Sequence, residues 1–247
     1  SDNMSRGYDL GGGPLWIDSC TLNNTGSEPG NDGEGILCQR HGGTEVYSWA
    51  VTHNTHDQQD GEPGYFGGWD VHCYGLMICW NKTPGWVGNA LAGRQHDCTF
   101  VPNQCQSVKV AQWSEYKGKV GGKHTGTPGL ADVLTELPKG RPSAPTDVRT
   151  ASYEGDAIRI TWRDTSDSEL GFRVDRQIDG GRWHTIAYRP RQSKRHEKNP
   201  AEWIDFLAPR EREIRYRVVA CDVRDSDTAA SHPTASVKLP RPSPDSE

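Results

Sequence analysis

The 247-residue sequence predicts a mainly β protein that consists of two unlike modules. The first is an irregular β-rich domain stapled by disulfide bonds, and the second is a β-sandwich. Three observations predict this fold class: short runs that alternate apolar and polar residues, glycine-rich turns between runs, and six of the seven cysteines lying before residue 106.

The boundary between the modules falls in "LPKGRPSAPTDV", residues 137–148. Three prolines and a glycine in this segment exclude a continuous helix or a central strand. We therefore predict a Cys/Gly/Trp-rich β domain over 1–138 and a Pro-rich linker over 139–146. The second domain is expected over 147–240, with a polar tail over 241–247.

The first module offers several candidate strands, separated by turn-forming stretches such as "SEPGNDGEG" and "DQQDGEPGYFGG", which exclude long helices. One helix is expected at "GLADVLTEL". The candidate strands are "PLWIDSCTL", "GILCQR", "EVYSWAVT", "WDVHCYGLMICW" and "QSVKVAQW".

The cysteines of the first module form an even set within a domain that is poor in apolar residues, which is typical of a disulfide framework. There is no Cys-x-x-Cys pair, so the spacing argues against zinc. A cysteine metal site and buried thiols are the alternatives, and the pairing is not readable from sequence. Oxidised cysteines would place the protein outside the cell or on its surface. The six predicted disulfide cysteines are Cys20, Cys38, Cys73, Cys79, Cys98 and Cys105.

The second module contains three clear alternating runs, "AIRITW", "GFRVDRQI" and "EIRYRVVACDV". Together with "SAPTDVRT", "DGGRWHTIA" and "SVKLP", they resemble a fibronectin type III domain of the kind found in bacterial secreted proteins. In this resemblance Trp162 matches the core tryptophan of the second strand and Tyr216 the tyrosine of the sixth. The resemblance implies a β-sandwich that acts as a spacer and interaction domain.

Cys221 stands alone in the second module. Because Tyr216, Val218 and Ala220 match the core face of the sixth strand, alternation places Cys221 on the outward face. We expect a free or intermolecular thiol there, or a thiol covered by another surface.

The segment "WDVHCYGLMICWNKTPGW" is rich in tryptophan and supplies the candidate binding residues Trp69, Trp80 and Trp86. Exposed at the ends of a strand, these rings would form an aromatic platform that stacks on sugar rings. The alternative is a core strand that is buried on both faces.

The segment "HNTHDQQDGE" supplies the candidate metal ligands. Clustered carboxylates in a glycine-rich loop suit Ca²⁺, so Asp57, Asp60 and Glu62 are the predicted calcium ligands. Zinc bound through His53 and His56 and a solvated loop without metal are the alternatives. No other cofactor is expected.

Charge and hydropathy exclude two classes of partner. Residues 1–140 carry 9 Lys+Arg against 15 Asp+Glu, a net charge of -6 that repels phosphate backbones, so we expect no nucleic acid. No apolar run approaches the roughly 20 residues of a membrane span. The expected partners are other copies of this chain or an extracellular polymer.

These observations favour a non-catalytic extracellular protein that binds or assembles. It would be a surface, filament or virion structural component, or a glycan-binding adhesin. The alternative is a secreted polysaccharide-active hydrolase with its active site in residues 1–138, since fibronectin type III domains accompany such enzymes in bacteria. No G-x-S-x-G motif is present to support serine nucleophile chemistry.

Overall fold

The structure is a computed structural model. The structure describes residues 6–9, 15–23, 34–39, 45–57, 65–69, 72–90, 95–96, 98–105, 107–109, 133–134, 138–191 and 201–241. The chain divides into two compact units, Ser1–Pro138 and Lys139–Glu247. The described residues are mainly β. None of them forms a helix with the length and apolar character of a membrane span.

The described part of the first unit consists of short β-strands, and every strand pairing in it is parallel. The strands are β1 Arg6–Asp9, β2 Leu15–Asp18, β3 Thr21–Asn23, β4 Glu34–Gln39, β5 Glu45–Thr52, β6 Thr55–Asp57, β7 Tyr65–Trp69, β8 His72–Cys79, β9 Trp86–Ala90, β10 Gln95–His96, β11 Cys98–Thr99, β12 Ser107–Lys109 and β13 Val133–Leu134.

These strands build a parallel β-solenoid, in which the chain winds in coils that stack on one another. One sheet has the order β1-β4-β7-β9-β12, a second the order β13-β11-β8-β5-β2 with β10 also beside β8, and β3 pairs with β6. Neighbours in each sheet come from successive passes of the chain. The register runs straight through the coils, since Asp18 lies opposite Thr52 and Thr52 opposite Cys79.

The inside of the solenoid is filled by alternate residues of each strand, because strand side chains point to opposite faces. Trp49 and Val51 of β5 pack with Leu76 and Ile78 of β8, and Phe66 of β7 closes the same core. Because of the parallel register, equivalent positions of successive coils lie on top of one another. A short strand in each coil is therefore enough to build a continuous apolar core.

The outward face of the second sheet is buried as well. Ala50 and Thr52 of β5, Met77 and Cys79 of β8, and Thr99 of β11 are inaccessible to solvent. The alternative that the Trp69–Trp86 segment holds a strand buried on both faces is therefore confirmed for residues 75–79 of β8.

The second unit contains two antiparallel sheets of three strands each, with orders β14-β15-β18 and β17-β16-β19. A 3₁₀ turn follows at Asp227–Ala229. The strands are β14 Thr146–Tyr153, β15 Ala157–Arg163, β16 Gly171–Ile178, β17 Trp183–Pro190, β18 Ala201–Asp205 and β19 Ile214–Ala220.

Both sheets of the second unit contribute to one apolar core. Trp162 of β15 meets Phe172 of β16 with ring centroids 5.5 Å apart, and Tyr216 of β19 is completely buried. The Tyr216 hydroxyl donates to Asp205 Oδ2 over 2.8 Å, which satisfies its polar end inside the core.

The structure corrects two expectations for the first unit. A regular solenoid replaces the irregular loop-rich domain, although a strand forms within each of the five predicted segments. In place of the predicted helix at "GLADVLTEL", Val133–Leu134 form β13 beside β11. A sheet partner decides the conformation here, overriding the helical preference of the segment.

The predicted disulfide framework is also wrong as far as the structure describes it. No disulfide bond joins the described cysteine side chains, which are Cys20, Cys79, Cys98, Cys105 and Cys221. The register excludes one of the possible pairs: Thr99 lies opposite Met77, so Cys98 and Cys79 are about three residues, or about 10 Å, apart along neighbouring strands. A disulfide needs Cα atoms within roughly 7 Å. Cys38 lies in β4 and Cys73 in β8, and their side chains are outside the described residues.

Cys221 is completely buried. Its amide donates to Gly171 O and its carbonyl accepts from Leu170 N, each over 2.9 Å. Of the two expectations for Cys221, the covered thiol is the one that the structure shows. The thiol is not placed to bridge to another molecule.

Candidate functional site

The candidate site is the turn that follows the second sheet of the solenoid. Ser19, His53 and Trp80 occupy this turn in successive coils, with φ of 53°, 53° and 56°. This left-handed conformation is uncommon for residues with a side chain, so its recurrence marks one structural position. Because the coils are in register, the three side chains form a line along the solenoid.

The residue after each of these positions points inward and builds an asparagine ladder. Asn54 Nδ2 donates to Asn81 Oδ1 over 3.0 Å, and Asn81 Nδ2 donates to Asn103 Oδ1 over 3.1 Å. The same oxygens accept the backbone amides of Asn54 and Asn81, each over 2.9 Å. Cys20 holds this position in the preceding coil and donates its amide to Asn54 Oδ1 over 2.9 Å. The ladder fixes the turn from inside.

On the outer side, the His53 ring stacks on Trp80, with centroids 5.0 Å apart and ring planes 5° from parallel. Successive strands are about 4.8 Å apart, so the coil repeat itself brings the two rings into contact. The stack covers one face of the indole.

Asp18 orients His53. Its Oδ1 lies 2.8 Å from His53 Nδ1 and accepts the Thr52 hydroxyl over 2.6 Å, while its Oδ2 accepts the Ser19 hydroxyl over 2.9 Å. Trp16 Nε1 in turn donates to Thr52 Oγ1 over 3.2 Å. A carboxylate at Nδ1 places the proton of neutral His53 on that nitrogen.

Two opposing effects act on the Asp18 carboxyl. Partial burial raises its pKa, but hydrogen bonds from His53, Thr52 and Ser19 favour the ionised form and leave the pKa below its ordinary value. Ser19 donates to Asp18 and not to the imidazole, so the histidine does not activate it as a nucleophile. The site presents a fixed carboxylate, an oriented imidazole and an indole.

The three candidate tryptophans belong to different elements of the first unit. Trp69 ends β7 and Trp86 begins β9, whereas Trp80 follows β8 in the turn. In the sequence Trp69 precedes β8 and Trp80 follows it, and the eight residues of β8 extend over about 26 Å. The side chains of Trp69 and Trp86 are outside the described residues. Only Trp80 belongs to the candidate site, and one of its faces is occupied by His53.

The predicted metal segment is only partly described. Asp57 ends β6, but its side chain, Asp60 and Glu62 lie outside the described residues. His53 pairs with Asp18, whereas His56 is buried in the core beside Phe66, with ring centroids 5.9 Å apart. His53 therefore lies on the outer side of the solenoid and His56 on the inner side, so the two do not share a zinc site. Among the described side chains, no set of three or more His, Cys, Asp or Glu is placed to hold a metal.

Sequence reasoning missed Asn54, Asn81, Asn103 and Asp18. The signal available for the ladder is an asparagine that recurs after 27 and then 22 residues, each time just beyond an apolar segment. Repeats of 20–50 residues are the signature of solenoids. Nothing in the sequence distinguishes Asp18 from the other acids, because its partners Thr52 and His53 come from the next coil.

A second polar cluster lies in the second unit. Arg173 of β16 is buried and donates to Asp175, Asp225 and Asp227, with 3.0 Å to Asp175 Oδ1 and 3.1 Å to Asp225 Oδ1. Arg217 donates to Asp175 Oδ2 over 2.9 Å and to Asp227 Oδ2 over 2.8 Å. These ion pairs hold Asp225 and Asp227, in the segment after β19, against Arg173 of β16.

No family model matches the chain, and no curated protein matches it significantly. Among solved structures, it is similar to a β-1,2-glucanase from Parabacteroides distasonis, with 22% identity and a TM-score of 0.34 over 44% of this chain. It spans only 15% of that enzyme. It is also similar to a structure described as a myokine, with 19% identity and a TM-score of 0.29, over 41% of this chain and 100% of the other. Both TM-scores are below 0.5, so neither likeness identifies a fold or a function for this chain.

Proposed function

We propose that the chain is a non-catalytic extracellular protein that binds an extended polymer, with the first unit as its contact surface. The observation that carries this proposal is the line of Ser19, His53 and Trp80, which the coils repeat at about 4.8 Å intervals. Solenoids present extended surfaces of this kind to long ligands.

A glycan is the polymer that best fits the chemistry of the line. Sugar hydroxyls hydrogen-bond to carboxylates and imidazoles, and Asp18 and His53 provide both groups in fixed orientations. The indole of Trp80 adds an apolar surface for a sugar ring. Assembly with other copies of the chain is the second form of this proposal, since an exposed repeating surface also suits self-association.

The support for an extracellular location comes from the second unit, since no disulfide bond joins the described cysteines. We propose that this unit is a fibronectin type III-like domain. Two three-stranded antiparallel sheets around a common core support this, as do the buried Trp162 and Tyr216 at the matched positions. Such a domain would serve as a spacer between the contact surface and its attachment.

A secreted polysaccharide-active hydrolase is the alternative function. The Asp18–His53 pair favours it, because an imidazole oriented by a carboxylate is a general-base arrangement. Against it, Asp18 is the only carboxylate among the described side chains of the first unit. A glycosidase uses two, about 5–9.5 Å apart.

A binding screen with labelled polysaccharides tests the proposal on the full chain. We expect one polymer class to be retained without release of shorter products. His53→Ala and Trp80→Ala should each weaken retention about tenfold, which corresponds to about 1.4 kcal/mol. Trp183→Ala is the matched control, since Trp183 is a half-buried tryptophan of the second unit.

The outcomes separate the alternatives. Product release that is abolished by Asp18→Asn would establish the hydrolase. A concentration-dependent increase in mass by light scattering, without retention of any polysaccharide, would favour self-assembly. Retention that is unaffected by the His53 and Trp80 substitutions would exclude the candidate site.

A further inference from the structure

The segment between β15 and β16 gathers oxygen atoms of four side chains. Ser166 N donates to Asp164 Oδ1 over 3.0 Å, and Ser168 N donates to Ser166 Oγ over 3.2 Å. The two serine hydroxyl oxygens are 3.3 Å apart. Glu169 follows directly, and Gly171 begins β16.

Glu169 points to a missing partner. Its residue is only 2% exposed, and its Oε2 is buried without a hydrogen-bond partner. A buried carboxylate oxygen with no donor is costly and uncommon in a native structure. A group absent from the polypeptide would complete this site.

The charge of the segment indicates what kind of group is missing. Burial and the negative charge of Asp164 together raise the pKa of Glu169 to about 7, although hydrogen bonds from its own amide and from the Ser166 hydroxyl act in the opposite direction. Burial also raises the pKa of Asp164, and the negative charge of Asp167 acts in the same direction. The positive charge of Arg191 lowers both pKa values without offsetting the effect of burial. Asp164, Asp167 and Glu169 thus place three acidic residues within residues 164–169, beside a buried carboxyl oxygen without a donor, which favours a cation as the missing group.

We propose that Asp164 and Glu169 bind a calcium ion, with the hydroxyls of Ser166 and Ser168 and water molecules as further ligands. Calcium takes six to eight oxygen ligands, and this segment offers only oxygens. Residues 164, 166 and 168 repeat the alternate spacing of the first three ligands of calcium-binding loops. Two oxygens at right angles around calcium are roughly 3.4 Å apart, close to the separation of the serine hydroxyls.

The ligand set also sets the affinity. Asp164 and Glu169 provide two carboxylates, which is fewer than tight calcium sites use. Among the described residues, no set of three or more His, Cys, Asp or Glu side chains is placed to hold a metal ion. We expect a dissociation constant of roughly 0.1–1 mM, in the range of extracellular modules.

Isothermal titration calorimetry and thermal unfolding of the full chain with calcium chloride test this site. We expect one binding event from this site, and calcium at about ten times the dissociation constant should raise the melting temperature by about 5 °C. Glu169→Gln and Asp164→Asn should each abolish both effects, while both variants keep the circular dichroism of the parent chain. Asp156→Asn is the matched control, because Asp156 is exposed in the turn before β15.

Two results would overturn the proposal. One is a parent chain that neither binds calcium nor changes its melting temperature at 10 mM, a concentration roughly tenfold above the weakest affinity expected. The other is calcium binding of unchanged affinity in the Glu169→Gln, Asp164→Asn double variant, which would locate the ion elsewhere, such as the 57–62 segment.

Discussion

The carboxamides of Asn54 and Asn81 meet inside the solenoid, where Asn54 Nδ2 donates to Asn81 Oδ1 over 3.0 Å. Asn81 also donates to Val51 O over 2.8 Å and to Cys79 O over 3.0 Å. One side chain thus satisfies backbone groups from two coils. The ladder explains how the buried backbone groups of this turn find hydrogen-bond partners within the protein.

Replacement of Asn81 by alanine should destabilise the first unit by about 2–4 kcal/mol. The reason is that the amide of Asn54 and several carbonyls lose their partners while they stay buried. Urea unfolding followed by circular dichroism measures the change. Lys82→Ala, at the neighbouring exposed position, should change stability by less than about 0.5 kcal/mol. Equal effects of the two substitutions would contradict the role of the ladder.

Asp18→Asn should lower stability by about 1 kcal/mol at neutral pH, because a neutral amide accepts hydrogen bonds more weakly than a carboxylate. The pKa of Asp18 is lowered in the folded chain, so its contribution is present above the unfolded value of about 3.9. It is lost as the pH falls through the folded pKa. Unfolding curves of parent and variant should therefore converge at a pH below the folded pKa of Asp18. A difference that persists at that pH would mean that the carboxylate charge is not responsible.

The described cysteines should all react with iodoacetamide after unfolding without reductant, since none of them forms a disulfide bond. In the native protein Cys20 and Cys105 should react first, because they are half-buried whereas Cys79, Cys98 and Cys221 are inaccessible. Intact-mass and peptide analysis identify the modified residues. Any of these five that is modified only after reduction would restore the disulfide interpretation.

Arg173→Ala should destabilise the second unit by about 3–5 kcal/mol, because it leaves Asp175 buried beside Asp225 with less compensating charge. Arg149→Ala is the control. Its guanidinium is 78% exposed and lies 3.9 Å from Asp147, so its loss should cost less than about 0.5 kcal/mol. Thermal unfolding of both variants gives the comparison. Similar melting temperatures would show that Arg217 alone neutralises the cluster.

Alternation of apolar and polar residues located strands well in both units. The run "EVYSWAVT" is β5 without error, and "AIRITW" and "GFRVDRQI" lie within β15 and β16. Local pattern determines whether a segment is extended, which is why these predictions succeeded. It does not determine the direction of a neighbouring strand. The parallel pairing of β5 with β8 depends on residues more than twenty positions apart.

The candidate site was harder to predict for the same reason. Trp80 was singled out for its ring, but its contact with His53 arises only when one coil stacks on another. Cysteine composition was misleading, because small apolar side chains also suit the inside of a narrow coil: Cys98 packs in the same core as Leu76 and Trp49. Composition alone does not separate these two uses of cysteine.

The straight register of Asp18, Thr52 and Cys79 has a consequence for how such a chain changes over generations. Gain or loss of a whole coil leaves the strand pairing of the remaining coils unchanged. The length of the solenoid can therefore vary in steps of one coil. A single inserted residue within β5 would instead exchange interior for exterior along that strand. Duplication of complete turns is therefore the route open to this unit for adjusting its reach.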